Sequence, residues 1–311
     1  SGLQTNEEDH EGGVALWPTT RDVYMPNGKV PNVGEILVQS DLGRTFRRLI
    51  EAEKGAVNLG RAKAIRAARD RFYKGDIAQE MVDFSDQQGG LITIDDLHNF
   101  SVAIENPEVG SFREYSIYTC GAWCQGPVVA QTLQMLERDD LYSLGHNSSD
   151  YIHLLSQSLN LAYSDRHAYY GDPAIVDVPI QGLLSKSYTQ ARRQSIDMQK
   201  GFTKMPQPGN PWSHMESNQK GRQLDNLESI EGPTMQDTSY VCVVDRWGNA
   251  FSATPSDPLA GSPIVPGLGI QISSRGSQSW LDPEHPSSVQ PGKRPRLTPN
   301  PAIVFKDGKL F

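Results

Sequence analysis

The stretch TMQDTSYVCVVDRWGNAFSATPSD, residues 234–257, holds an abrupt change of character. A polar segment ends at Asp237, and an apolar run opens at Thr238. YVCVVD and NAFSAT read as two strands, joined by a tight turn at Trp247-Gly248-Asn249. IVPGLGIQIS reads as further strand, and AIVFKDGKLF as a strand, an Asp-Gly turn and the opening of another strand. Upstream, the pattern is helical. Asp41 is the expected N-cap of a helix carrying Leu42, Phe46 and Ile50 on one face. Residues 59–86 form a second helical stretch, and GGLITIDDLHNF a Gly turn, a short strand and a helix capped by Thr93 or Asp95. VVAQTLQMLE, SDYIHLLSQSLNLAYSDRHAYYGDP and SKSYTQARRQSID complete the helices, while EVGSFREYSIYTC alternates like strand. Residues 1–34 read as loop, and 201–236 as a linker or exposed arm. Helices first and antiparallel strands later predict an α+β layered architecture.

The 311 residues carry a net charge of −8 with no Lys/Arg-rich run, which argues against a nucleic-acid partner. Seven Lys/Arg against five Asp/Glu leave the last 74 residues at +2 and the preceding 237 at −10. That imbalance fits either an anionic or carbonyl-rich ligand near the end of the chain or a solvated face. Cys120, Cys124 and Cys242 are odd in number and form no CxxC pair, so neither a disulfide scaffold nor a zinc site is expected. Cys242, inside YVCVV, reads as a small core residue. The seven histidines have no metal-ligand spacing. No cofactor is indicated, and no run approaches the roughly 20 apolar residues of a membrane span. The chain starts without Met or a signal-like segment and closes inside a hairpin, so it is expected to be part of a longer one; its compartment stays open.

Thr238 is open to two readings. Most threonines that begin strands are β-formers. As a chain N-terminus, however, its own α-amine, with a pKa near 8, takes the proton of its hydroxyl. Amine and hydroxyl then share one residue and one geometry. Ser256, at the far end of the returning strand, is either a turn serine or the hydroxyl that orients that amine.

FYKGDIAQEMV, GGLITIDDL, LAYSDRHAYYGDP with VPIQGLLSKSY, DTSYVCVVDRWGNAFSAT and PGKRPRLTPNPAIVFKDGK, in this order, resemble the γ-glutamyltranspeptidase family of N-terminal-nucleophile hydrolases. The resemblance implies a four-layer αββα sandwich, of which this chain holds part. It implies self-cleavage at Asp237-Thr238 into a large-subunit region, of which 1–237 is the C-terminal part and ends in a flexible arm (201–237), and a small catalytic subunit, of which 238–311 is the N-terminal part; the two stay together as a heterodimer. Thr238 falls on the family's nucleophile and Ser256 on its second hydroxyl.

The shell that grips substrate departs from the family pattern. SSRGSQSW stands where transpeptidases hold the glutamyl α-amine with a Gln and an Asp; Arg275 takes the Gln place and Gln278 roughly the Asp place. An Arg repels an ammonium and can clamp a carboxylate. Asp257-Pro258 replaces an Asn, and Leu297-Thr298 a Ser-Ser pair. Asp257, Arg275, Gln278 and Thr298 are therefore the expected substrate contacts. The pattern is similar to outlying amidases and acylases of the family acting on small amides. The alternatives are a true γ-glutamyltransferase acting on glutathione-like donors, and an inactive fragment or unprocessed precursor.

Overall fold

A computed structural model describes residues 16–215, 238–257 and 261–311. Along the chain run α1 (Pro18–Tyr24), α2 (Ser40–Gly55), α3 (Arg61–Lys74), α4 (Asp76–Gln87) and α5 (Ile94–Asn99). A hairpin of β1 (Glu108–Phe112) and β2 (Tyr115–Thr119) follows. Next come α6 (Gly126–Met135), α7 (Leu141–Leu144), α8 (Ser149–Tyr169), α9 (Ile180–Leu183) and α10 (Lys186–Gln194). The last part holds β3 (Val241–Val244), β4 (Ala250–Ala253), β5 (Ile264–Val265), β6 (Ile270–Gln271), β7 (Ala302–Lys306) and β8 (Lys309–Leu310). The mixture is α+β. Contacts divide it into two compact units, one of residues 1–104 with 257–274 and one of 105–256 with 275–311.

The first unit packs α2 to α5 with the β5–β6 ladder. Its core is Ile77, Met81, Val265 and Leu268. Gln39, not Asp41, sits at the N-cap of α2; Asp41 lies in the first turn and accepts the Gly267 N–H at 2.8 Å. The predicted face is also displaced. Phe46 and Ile50 are 55% and 47% exposed, while Thr45 is buried and donates its hydroxyl to Leu268 O at 2.8 Å. Residues 59–86 form two helices rather than one, separated by an extended Gly75, where a side chain would meet Arg71 O at 2.7 Å. No strand forms at Leu91–Thr93, where Thr93 caps α5 in a reciprocal capping box with Asp96. Within the segment read as loop, α1 forms with Pro18 presetting its first turn; residues 1–15 lie outside the described part.

The second unit is built on an antiparallel sheet ordered β1-β2-β7-β8. β7 joins β2 from about 180 residues downstream, with Ile117 opposite Val304. Asp307 (φ 49°) and Gly308 (φ 75°) make the left-handed pair that turns β7 into β8, as the Asp-Gly signal predicts. α6 lies against β1 and β2, so close that a Cβ on Gly110 would stand 2.5 Å from Ala130 Cβ. α8 opens on Ser148, whose hydroxyl accepts the Tyr151 N–H at 3.1 Å. Its Leu154 and Leu161 meet Met135, Leu183 and Tyr188 in the core.

Two expectations are overturned here. Cys242 is exposed, not a core residue. Its strand pairs with β4, and Val243, Val244 and Phe251 are exposed beside it. The described start of the arm, 201–215, is docked rather than loose. Phe202 and Trp212 pack on the core, and Ser164 donates to Pro206 O at 2.6 Å. Tyr169 donates to Gly209 O at 2.6 Å, and the Gly209 N–H reaches Asp165 Oδ1 at 2.9 Å. Residues 216–237 lie outside the described part.

Candidate active site

The β3–β4 hairpin positions the site. Its ladder pairs Val241 with Ala253, Cys242 with Ser252 and Val244 with Ala250. Asp245 closes the turn by accepting the Trp247 and Asn249 N–H groups, both at 2.9 Å. Continued three residues beyond Val241 and Ala253, the same register sets Thr238 level with Ser256. Thr238 is exposed. Asp237 lies outside the described residues.

Side chains in a strand alternate between faces, so Ser252, Thr254 and Ser256 share one face. The first two hydroxyls brace the start of β7: Ser252 Oγ accepts the Ala302 N–H at 3.1 Å, and Thr254 Oγ1 accepts the Asn300 N–H at 3.3 Å. This period-two run of hydroxyls was visible in SATPS, but only Ser256 was singled out from it. Ser256 is fixed by Arg275, which is only 8% exposed. Arg275 Nε and Nη2 both donate to Ser256 O, at 3.0 and 2.7 Å. Nη2 also reaches Ser256 Oγ at 3.2 Å, and Nη1 donates to Thr298 Oγ1 at 3.1 Å. Three of the sequence-predicted positions, Ser256, Arg275 and Thr298, are thus brought into contact. Gln278 is half-buried and ends the same short turn that Arg275 begins. Asp257 is exposed and belongs to the first unit.

Thr298 sits in a pinned segment. Leu297 N–H donates to Trp123 O at 2.9 Å, and Gln125 N–H to Pro299 O at 3.4 Å. Arg166 Nη2 donates to Leu297 O at 3.0 Å, and Arg296 Nη1 to Arg166 O at 3.1 Å. Desolvation by burial, and then repulsion from Arg166, bring Arg296 down to about 9. The contribution of Arg166 and Arg296 to this brace was not legible, since 130 residues separate them. Beside them, His167, Trp280 and His285 cluster with ring centres 4.6 to 5.3 Å apart. Burial, reinforced by the Arg296 charge, lowers His167 to about 4 and His285 to about 3, so both are neutral near pH 7. Among the described residues, no group of three His, Cys, Asp or Glu is placed to hold a metal ion. Among them too, no helix is long and apolar enough to cross a membrane.

Comparison with known proteins agrees with this architecture. The structure of cephalosporin acylase from Bacillus halodurans superimposes with a TM-score of 0.75 over 99% of this chain and 49% of that one, at 23% identity. The fold is that of the N-terminal-nucleophile hydrolases. The Gamma-glutamyltranspeptidase family model matches residues 3–311, and the chain belongs to that family. It is 33% identical over 293 residues to the glutathione hydrolase proenzyme of Bacillus subtilis, covering 93% of this chain and 46% of that protein. It is 30% identical over 305 residues to the acylase ACY 1 proenzyme of Pseudomonas sp. strain SE83, covering 97% and 48%. The chain therefore spans about half the length of the curated relatives it matches.

Proposed function

We propose that the protein carrying this chain is an amide hydrolase or acyltransferase that activates itself by cleaving the Asp237–Thr238 bond. The observation that carries the reading is the hairpin register, Val241 opposite Ala253, which continued three residues further levels an exposed Thr238 with Ser256. Family membership and the proenzyme names of its relatives support it.

In the self-cleavage step, Thr238 Oγ1 adds to the Asp237 carbonyl carbon. The C–N bond breaks, the nitrogen takes the hydroxyl proton, and an ester joins Asp237 to the Thr238 side chain. Water opens that ester, leaving an Asp237 carboxylate and a free Thr238 amine and hydroxyl. In turnover the amine accepts the hydroxyl proton as Oγ1 attacks the substrate amide carbonyl. The leaving amine takes that proton, and an acyl-Thr238 ester remains. Water, or a second amine, releases the acyl group. Ser256 orients the Thr238 amine. Gln278 and Thr298 are the groups proposed to face the acyl part, and the two products of self-cleavage are proposed to remain together as a heterodimer.

The acyl group is proposed to be small and to lack an ammonium, because the Arg275 charge stands at a position otherwise suited to an ammonium and repels one there, whether or not it touches the substrate. Two p-nitroanilides separate this from the glutathione-hydrolase reading that the Bacillus subtilis relative favours. Turnover of glutaryl anilide, without the γ-glutamyl one, is the expected result. Preference for the γ-glutamyl anilide supports the second reading. Full activity in Thr238→Ala overturns both.

A further inference from the structure

Arg275 is an odd residue to bury. A guanidinium is costly to take out of water unless its donors are met. Here it is 8% exposed, and the donors on its Nε–Nη2 edge converge on one residue. A fork of that shape matches a carboxylate, yet both arms close on the carbonyl oxygen of Ser256. Nη2 also touches the Ser256 hydroxyl, and Nη1 extends to Thr298, whose segment is itself fixed from both sides.

Ser256 lies three residues beyond the end of a four-residue strand, where backbone frays. The β3–β4 ladder stops at Ala253, three residues short of it. Something beyond the ladder must therefore hold its carbonyl and side chain in place. A hydroxyl has one donor and two acceptor sites. Contact with Nη2 uses one acceptor site and limits the rotamer of the hydroxyl. The register continued from Val241 opposite Ala253 levels that hydroxyl with Thr238.

We propose that Arg275 is a positioning residue: it ties the Ser256 carbonyl and hydroxyl to Thr298 and so holds the Ser256 hydroxyl against Thr238, instead of gripping the substrate. This rests on the reading of Thr238 as the nucleophile. It gives the replacement of a transpeptidase Gln by Arg a role inside the protein.

Self-cleavage separates the two roles, because no external substrate takes part in it. The experiment follows the first-order splitting of the full-length protein by intact mass, in wild type, Arg275→Lys, Ser256→Ala and the double variant. Lysine keeps the charge and loses the fork. A misplaced group commonly costs about 100-fold in rate, so Arg275→Lys is expected to split about 100-fold more slowly. With Ser256→Ala already in place, the same change is expected to cost less than about threefold, since its effect runs through the missing hydroxyl. Thr298→Val, which removes one anchor and keeps the bulk, is expected to slow splitting about tenfold. It covers the case in which Arg275 variants do not fold. Normal splitting in Arg275→Lys, with KM raised for glutaryl anilide, overturns the proposal and makes Arg275 a substrate clamp. Fully additive losses in the double variant overturn it in favour of a general structural role. Splitting that persists in Thr238→Ala, or a wild type that never splits, refutes instead the nucleophile reading beneath it.

Discussion

The carboxylate of Asp165 lies 2.9 Å from the backbone N–H of Gly209, and this bond pins the chain that leads toward the proposed cleavage point. Asp165 is fully buried in α8. It also accepts from Gln131 Nε2 at 2.6 Å and pairs with Arg192 at 3.2 Å. Removing one partner of a buried ion pair costs about 3–5 kcal/mol, because the other charge is left behind. Asp165→Ala is therefore expected to lose about that much stability in denaturant unfolding. Residues 202–215 are expected to become the first site of limited proteolysis.

The same segment makes a close approach elsewhere. A Cβ on Gly182 would stand 2.1 Å from Pro211 O, a backbone atom with no freedom to yield. Gly182→Ala is expected to destabilise by about 1–3 kcal/mol through overpacking, read as a lower denaturant midpoint. Gly145→Ala meets only Ser148 Cβ, at 3.9 Å, so its cost is expected to come from backbone strain at φ 81° alone.

His167 and His285 set a pH dependence. Their folded values, about 4 and about 3, lie below the roughly 6.5 of an unfolded imidazole. As pH falls, the unfolded chain takes up these protons first. Their contribution to stability is thus complete above about pH 6.5, and declines from there down to about pH 4 for His167 and pH 3 for His285. Arg296, Arg166 and Asp282 are the charged groups acting on the pair. In NMR titration both imidazoles are expected to stay neutral above pH 5; midpoints near 6.5 would contradict the packing of this cluster.

Cys120 and Cys124 divide a titration between them. A hydrogen bond with Cys124 lowers the Cys120 thiol to about 7, while the same bond, and then burial, push Cys124 up. Cys124 Sγ lies 3.1 Å from Gly121 O. Iodoacetamide is expected to label Cys120 with a midpoint near pH 7 and to leave Cys124 untouched until the protein unfolds. Equal labelling of the two would contradict the arrangement.

What was legible in the sequence is what local chemistry decides. The Asp307-Gly308 turn, the Thr93 cap and the Trp247-Gly248-Asn249 turn each follow from a few adjacent residues, and each is found. What failed depends on partners far along the chain. Thr45, not Phe46, faces inward because Leu268 offers its carbonyl from 223 residues away. The strand around Cys242 has an apolar pattern suited to a core, yet its side chains stay exposed beside β4, its one partner strand among the described residues. The arm looked loose because prolines and polar residues dominate it, whereas Asp165 and Ser164 on α8 meet its backbone groups. At the site, Thr238 and Ser256 were separated from other hydroxyls by family resemblance and hairpin spacing. The Arg275–Ser256–Thr298 contacts needed three-dimensional coordinates.

The claim that Thr238 is the nucleophile and the cleavage point is tested most directly by N-terminal sequencing of the smaller piece of the purified full-length protein, beside the Thr238→Ala variant. The account predicts a piece beginning Thr-Ser-Tyr-Val-Cys, and an unsplit chain in the variant. A smaller piece that begins elsewhere, or splitting that survives in Thr238→Ala, contradicts it.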